Sequence, residues 1–275
     1  MSWPYTWHFA VLCLAQGGLV AMGRRDDRRL IRLRVVGLLL PAVALCTGIL
    51  LIVGGEASRT ALARLATFGT PVAAALVGVV AVWRRPIISI VLAPVLFVIA
   101  WRADGLVQDA AAVALIGLAT VALAAVIAAV TTARALAAGL VILAIVDSFL
   151  VFRGHLTQPT AELHAVAAPH AGGVPLPSLQ DATFGGSLMG WLDFLAPACA
   201  GMLFVDDDRE RRFAAILTAV TSLTWGLLLA VTSPIPGTVP PLAAVLVWLI
   251  CSDAPPSARH REPFNPLLAQ RRRGF

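Results

Sequence analysis

The chain has 275 residues, of which 59% are hydrophobic and only 13% charged, with a mean hydropathy of +0.86. A soluble domain carries nearer ~25% charged residues, so the composition argues against a water-soluble globule. The 21 basic residues are all arginine, and they cluster at the ends of apolar stretches, where membrane topology accounts for them; the basic balance therefore does not imply a nucleic-acid partner.

Taken in chain order, the apolar blocks approach or exceed the roughly 18 residues that read as a transmembrane helix. The first is Tyr5–Met22. Its positive charges follow it, in "RRDDRRLIRLR", the reverse of a cleavable signal peptide. A retained first helix with its N-terminus outside is expected. Further spans are expected at Val35–Val53, Thr70–Trp83, Pro86–Trp101, Val107–Val130, Ala133–Phe152, Thr183–Val205, Phe213–Val231 and Gly237–Cys251. The expected fold is an all-α polytopic membrane protein of about nine transmembrane helices. Residues 1–132 would hold helices one to five. Residues 133–252 would hold helices six to nine, with an outer loop at 153–182, and 253–275 would form a polar cytoplasmic tail.

The arginines support this layout. Only Arg59, Arg64, Arg102 and Arg153 fall on the outer side of a nine-span chain; the other 17 face the cytoplasm. The bias favours a multi-pass cell-membrane protein with the N-terminus and the 153–182 loop outside and the C-terminus inside. Arg134, at the start of the sixth span, reads as a snorkelling interfacial residue. Trp3, Trp7, Trp83 and Trp101 lie where an aromatic belt would place them. The "DDDRERR" run after the seventh span reads as a solvated turn. Cys13, Cys46, Cys199 and Cys251 form no C-x-x-C pair and read as buried thiols. His155, His164 and His170 share the outer loop with Glu162 and Asp181, but at no tight ligand spacing, so no metal site is expected.

Two carboxylates stand apart. Of 15 acidic residues only Asp147, in "AIVDSFLVF", and Asp193, in "GSLMGWLDFLAP", lie well inside spans. A carboxylate at bilayer depth costs at least about 2.5–3.5 kcal/mol and marks a functional hypothesis. The two spans are consecutive and antiparallel, so the carboxylates can meet. A pair within hydrogen-bond reach shares one proton and supplies an acid and a base at one point. That suits water-dependent hydrolysis of a peptide bond, proton transport, or simply an interhelical hydrogen bond.

The surrounding residues resemble the presenilin and signal peptide peptidase family of intramembrane aspartyl proteases. That family has nine helices, with catalytic aspartates on the sixth and seventh. Its Tyr-Asp appears here as Val146-Asp147, its Gly-x-Gly-Asp as Gly190-Trp191-Leu192-Asp193, and its Pro-Ala-Leu as Pro240-Pro241-Leu242. This chain departs from the pattern at Val146, Leu192 and Pro241. The resemblance implies an aspartic endopeptidase with Asp147 and Asp193 as catalytic residues. Gly190, Leu192, Pro240, Pro241 and Leu242 would lie along the substrate. It implies no metal or organic cofactor, water as the nucleophile, and transmembrane peptides or remnant signal peptides as substrates within the lipid bilayer. The orientation resembles the signal peptide peptidase branch. A proton-coupled transporter using the same carboxylates, and a catalytically silent scaffold, remain alternatives.

Overall fold

The computed structural model describes residues 4–23, 42, 46–47, 49–50, 53, 55–80, 86–154, 170–171, 174–204, 208–229 and 236–252. These hold eight helices: α1 (Pro4–Met22), α2 (Gly55–Val80), α3 (Pro86–Arg102), α4 (Leu106–Val130), α5 (Ala133–Phe152), α6 (Trp191–Gly201), α7 (Asp208–Leu229) and α8 (Leu242–Ser252). Four short strands lie between α5 and α6: β1 (His170–Ala171), β2 (Val174–Pro175), β3 (Asp181–Phe184) and β4 (Ser187–Gly190). Among the described residues the strands form two antiparallel pairs, β1 with β2 and β3 with β4.

The helix α4 is the hub. Its alanine-rich sequence has the strongest helix propensity and little side-chain bulk, and it is apolar all round, as a helix surrounded by others must be. It packs against α2, α3, α6 and β3, burying Leu115, Ile116, Ala119 and Ala124 completely. The Thr131-Thr132 pair ends it. Thr131 is extended, and the Thr132 hydroxyl accepts the Ala135 N–H at 3.3 Å as the N-cap of α5. At its far end α5 stops at Gly154, whose φ of +70° suits glycine and whose N–H returns to the Val151 carbonyl.

Glycines allow α1 to pack backbone-close on two sides. A Cβ on Gly17 would lie 2.7 Å from the Ala215 carbonyl oxygen of α7, and one on Gly201 of α6 would collide with the Val20 backbone. At the end of α1, Arg211 of α7 donates to the Gly23 carbonyl at 3.2 Å and pairs with Asp208. A cation there complements the helix C-terminus. The "DDDRERR" run is therefore not wholly a solvated turn: from Asp208 onward it is the first turn of α7, and its arginine caps α1.

The sequence expectations need correction at three elements. The span expected at Thr70–Trp83 starts much earlier: α2 begins at Gly55, so Arg59 and Arg64 lie within the helix. Thr183–Val205 is not a continuous helix. Residues 181–190 form the β3–β4 hairpin, and α6 covers only 11 residues. The cause is Gly185-Gly186, with φ of +55° and +84°. Positive φ at both central positions is the backbone of the two-residue turn that matches strand twist, and a helix cannot contain it. The ninth element likewise starts at Leu242 rather than Gly237, with turns over 236–241. The expected span Val35–Val53 and the tail 253–275 lie largely or wholly outside the described residues, as do His155 and His164.

Among the described residues, two helices, α4 and α5, are long and apolar enough to cross a membrane. The helices α1, α3 and α8 contain shorter apolar stretches.

Candidate active site

The site is built by four elements converging on the end of the β3–β4 hairpin. From the hairpin the chain turns directly into α6: Gly190 is both the last residue of β4 and the N-cap, so Asp193 is the third residue of the helix. Its carboxylate folds back and accepts the Gly190 N–H at 2.9 Å, satisfying one donor that a helix start leaves open. Asp193 thus stands at a helix N-terminus, where the helix dipole favours an anion, and not ten residues inside a span.

Asp147 comes from the C-terminal half of α5. The Thr238 hydroxyl donates to its Oδ2 at 2.6 Å, and the Thr238 backbone N–H points at the same carboxylate. The neighbouring Gly237 lies against the other aspartate: a Cβ there would fall 2.7 Å from both Asp193 oxygens and closer still to the Cγ. One dipeptide therefore touches both carboxylates. The two aspartates are near enough for their charges to interact, and the buried Asp181 of β3, paired across the hairpin with Gly190, acts on Asp193 as well.

Behind this lies Gln16 of α1, fully buried. Its Nε2 donates to the Asp193 carbonyl at 2.8 Å and to the Gly237 carbonyl at 3.2 Å, and its Oε1 accepts from the Ser222 hydroxyl of α7 at 2.5 Å. The hairpin tip is held separately. Asp109 of α4 accepts the Gly185 N–H at 2.8 Å, while the His8 ring of α1 stacks on Trp7 and meets Phe184 and Gly185.

Of the residues picked out in the sequence, Asp147, Asp193 and Gly190 come together. Leu192 is half-buried and packs against the core beside Asp193. The Pro240-Pro241-Leu242 triplet forms the entry to α8. The Pro240 and Pro241 carbonyls accept the Ala243, Ala244 and Val245 N–H groups, so they are spent on the first helical turn. The contacts to the carboxylates belong instead to Gly237 and Thr238, just upstream. Those two residues, with Gln16 and Ser222, escaped the sequence reading, which named Asp181 only as an acid of the outer loop. Gln16 carried a usable signal: it is the one amide side chain well inside an expected span. Among the described residues no group of three histidine, cysteine or acidic side chains is arranged to hold a metal ion.

Compared with known proteins, the chain matches no family model, no curated protein and no solved structure.

Proposed function

We propose that this chain is a multi-pass intramembrane aspartyl peptidase that hydrolyses transmembrane helices or remnant signal peptides through Asp147 and Asp193. The observation that carries the reading is the convergence of these two carboxylates, from different helices, on the single dipeptide Gly237-Thr238. One carboxylate takes a proton from water as the water oxygen attacks the scissile carbonyl. The other donates a proton to the amide nitrogen as the C–N bond breaks. Gly190, Leu192 and the entry to α8 at Pro240, Pro241 and Leu242 flank the pair and would line the substrate. No covalent intermediate with the protein is required.

Two further features support the membrane setting. Large apolar side chains are exposed on many helices, among them Leu65, Val91, Ile145, Ile216 and Ile250, a surface that water disfavours and lipid accepts. The N-terminal parts of α1 and α4 both meet the hairpin, whereas α7 begins at the opposite end of α1. The arginine bias assigns these directions to the first, fifth and eighth of nine spans. With the hairpin end outside, substrates would enter with their N-termini cytoplasmic.

The test is purified protein in lipid with labelled transmembrane peptides of both orientations, the products read by mass spectrometry. Cleavage is expected, and Asp147→Asn and Asp193→Asn should each abolish it. The double variant should be no worse than either single one, because residues that act as a unit are not additive. Peptides left intact alongside pH-driven solute flux would favour a proton-coupled transporter. Full biological function in both Asn variants would favour a scaffold.

A further inference from the structure

The amide of Gln16 is fully used. Its two N–H bonds go to two carbonyls on different elements and its oxygen takes the Ser222 hydroxyl, which leaves an amide little unmet hydrogen-bonding capacity. The two carbonyls it serves are telling. Within a helix the Asp193 carbonyl would accept the N–H of residue 197, but that residue is Pro197, which has none. A buried carbonyl without a donor is costly. Gln16 supplies the donor that the proline withholds. With its second hydrogen it draws in the carbonyl of Gly237, the residue whose α-carbon lies against the Asp193 carboxylate and whose neighbour Thr238 holds Asp147.

We infer that Gln16 is a positioning residue: a clamp from the first helix that fastens the 236–241 turn to the gap at Pro197 and so sets Asp147 and Asp193 against each other. Its catalytic meaning rests on the peptidase reading; its geometric meaning does not. Pro197 and Gln16 act as lock and bolt. The proline opens a bonding position on α6, and the amide fills it while carrying the turn along.

The clamp can be separated from simple satisfaction of a buried group. Gln16→Met keeps the length and removes both donors, together with the acceptor of the Ser222 hydroxyl. Gln16→Met combined with Pro197→Ala returns an N–H to the Asp193 carbonyl from within α6, but leaves the Gly237 carbonyl without its donor. Three readouts apply to the full chain in lipid: thermal stability, amide hydrogen exchange of a peptide covering 236–241, and cleavage kinetics. Pro236, Pro240 and Pro241 carry no N–H, so that peptide reports only Gly237, Thr238 and Val239.

Gln16→Met should lower the melting temperature, speed exchange at these three amides by about tenfold, and lower kcat about tenfold with KM little changed, the effect of losing one well-placed hydrogen bond. Adding Pro197→Ala should recover part of the melting temperature, the Gly237 carbonyl and the Ser222 hydroxyl still lacking Gln16, while exchange stays fast and kcat stays low. Recovery of all three readouts in the double variant would overturn the proposal, leaving Gln16 as a filler of a buried gap. So would unchanged exchange in Gln16→Met. If the wild-type chain cleaves no peptide, the peptidase reading falls, and the exchange data still decide the clamp.

Discussion

The two helices that carry the aspartates are built in opposite ways. In α6 every residue from Phe194 to Gly201 is buried, and the helix packs chiefly against α1 and α4, with α5, α7 and α8 completing the enclosure. In α5 the buried residues stop at Ala144, three before Asp147, and beyond it Phe149 and Phe152 are 55% and 61% exposed. One carboxylate is fixed by a packed scaffold and a cap; the other stands on a rim helix and is fixed by Thr238. The difference teaches that Asp193 is set by the start of its own helix, and that the turn at 236–241 is what holds Asp147 to it.

The strongest way to break this arrangement is Gly237→Ala. The added methyl has nowhere to go but into the Asp193 carboxylate. A displacement of about 1 Å costs on the order of 100-fold in rate, so cleavage of the labelled peptide should fall by about that factor with the helical circular dichroism unchanged.

The next prediction sharpens the contrast between the helices. Phe194→Ala should destabilise the protein by about 3–5 kcal/mol, as expected for a fully buried aromatic. Phe149→Ala, on the exposed face of α5, should change stability by no more than about 0.5 kcal/mol. Denaturant unfolding in detergent would compare them, and equal effects would contradict the division into scaffold and rim.

Thr238→Val removes the hydroxyl from Asp147 at nearly constant shape. A hydrogen bond to a charged group is worth about 1.5–3 kcal/mol, which sets the limit. Part of that is retained by the Thr238 N–H, so roughly a tenfold fall in kcat is expected. Single-turnover cleavage should show it in the chemical step and not in peptide binding.

The smallest effect is expected at the hairpin tip. Asp109→Ala frees the Gly185 N–H, and the tip should exchange faster by about tenfold or less while the dyad keeps working. A large loss of cleavage would mean that the tip, as well as the turn, governs the carboxylates.

Much of this was legible in the sequence for physical reasons. Charge is expensive in apolar surroundings, so Asp147 and Asp193 stood out as the two carboxylates deep in apolar runs. The expected Val107–Val130 and Ala133–Phe152 match α4 and α5 almost residue for residue, because each is a long apolar run and the Thr131-Thr132 pair divides them. The hairpin was hidden because "TFGGSLMG" is short and apolar enough to read as the start of a helix, and a Gly-Gly pair suits close helix packing as well as a turn. Gly237 and Thr238 were missed because a threonine in a turn is common, and only the fold brings it to Asp147. Gln16 serves groups that lie 177 and 221 positions away along the chain, a distance over which no local pattern carries information.

The junction of β4 with α6 has a consequence for how this chain can change length. Asp193 is placed by where the sheet stops and the helix starts, so it is indexed to the hairpin and not to the rest of α6. A residue inserted beyond Gly201 falls past the end of α6, in the connection to α7, and leaves Asp193 in place, because the hairpin and the cap that hold it lie upstream. A residue inserted between Ser187 and Gly190 would exchange the two faces of the strand. Gly190 would then no longer pair with Asp181, and the aspartate would be carried away from Asp147. Variation in loop length should therefore be tolerated on one side of this junction and lethal to the site on the other.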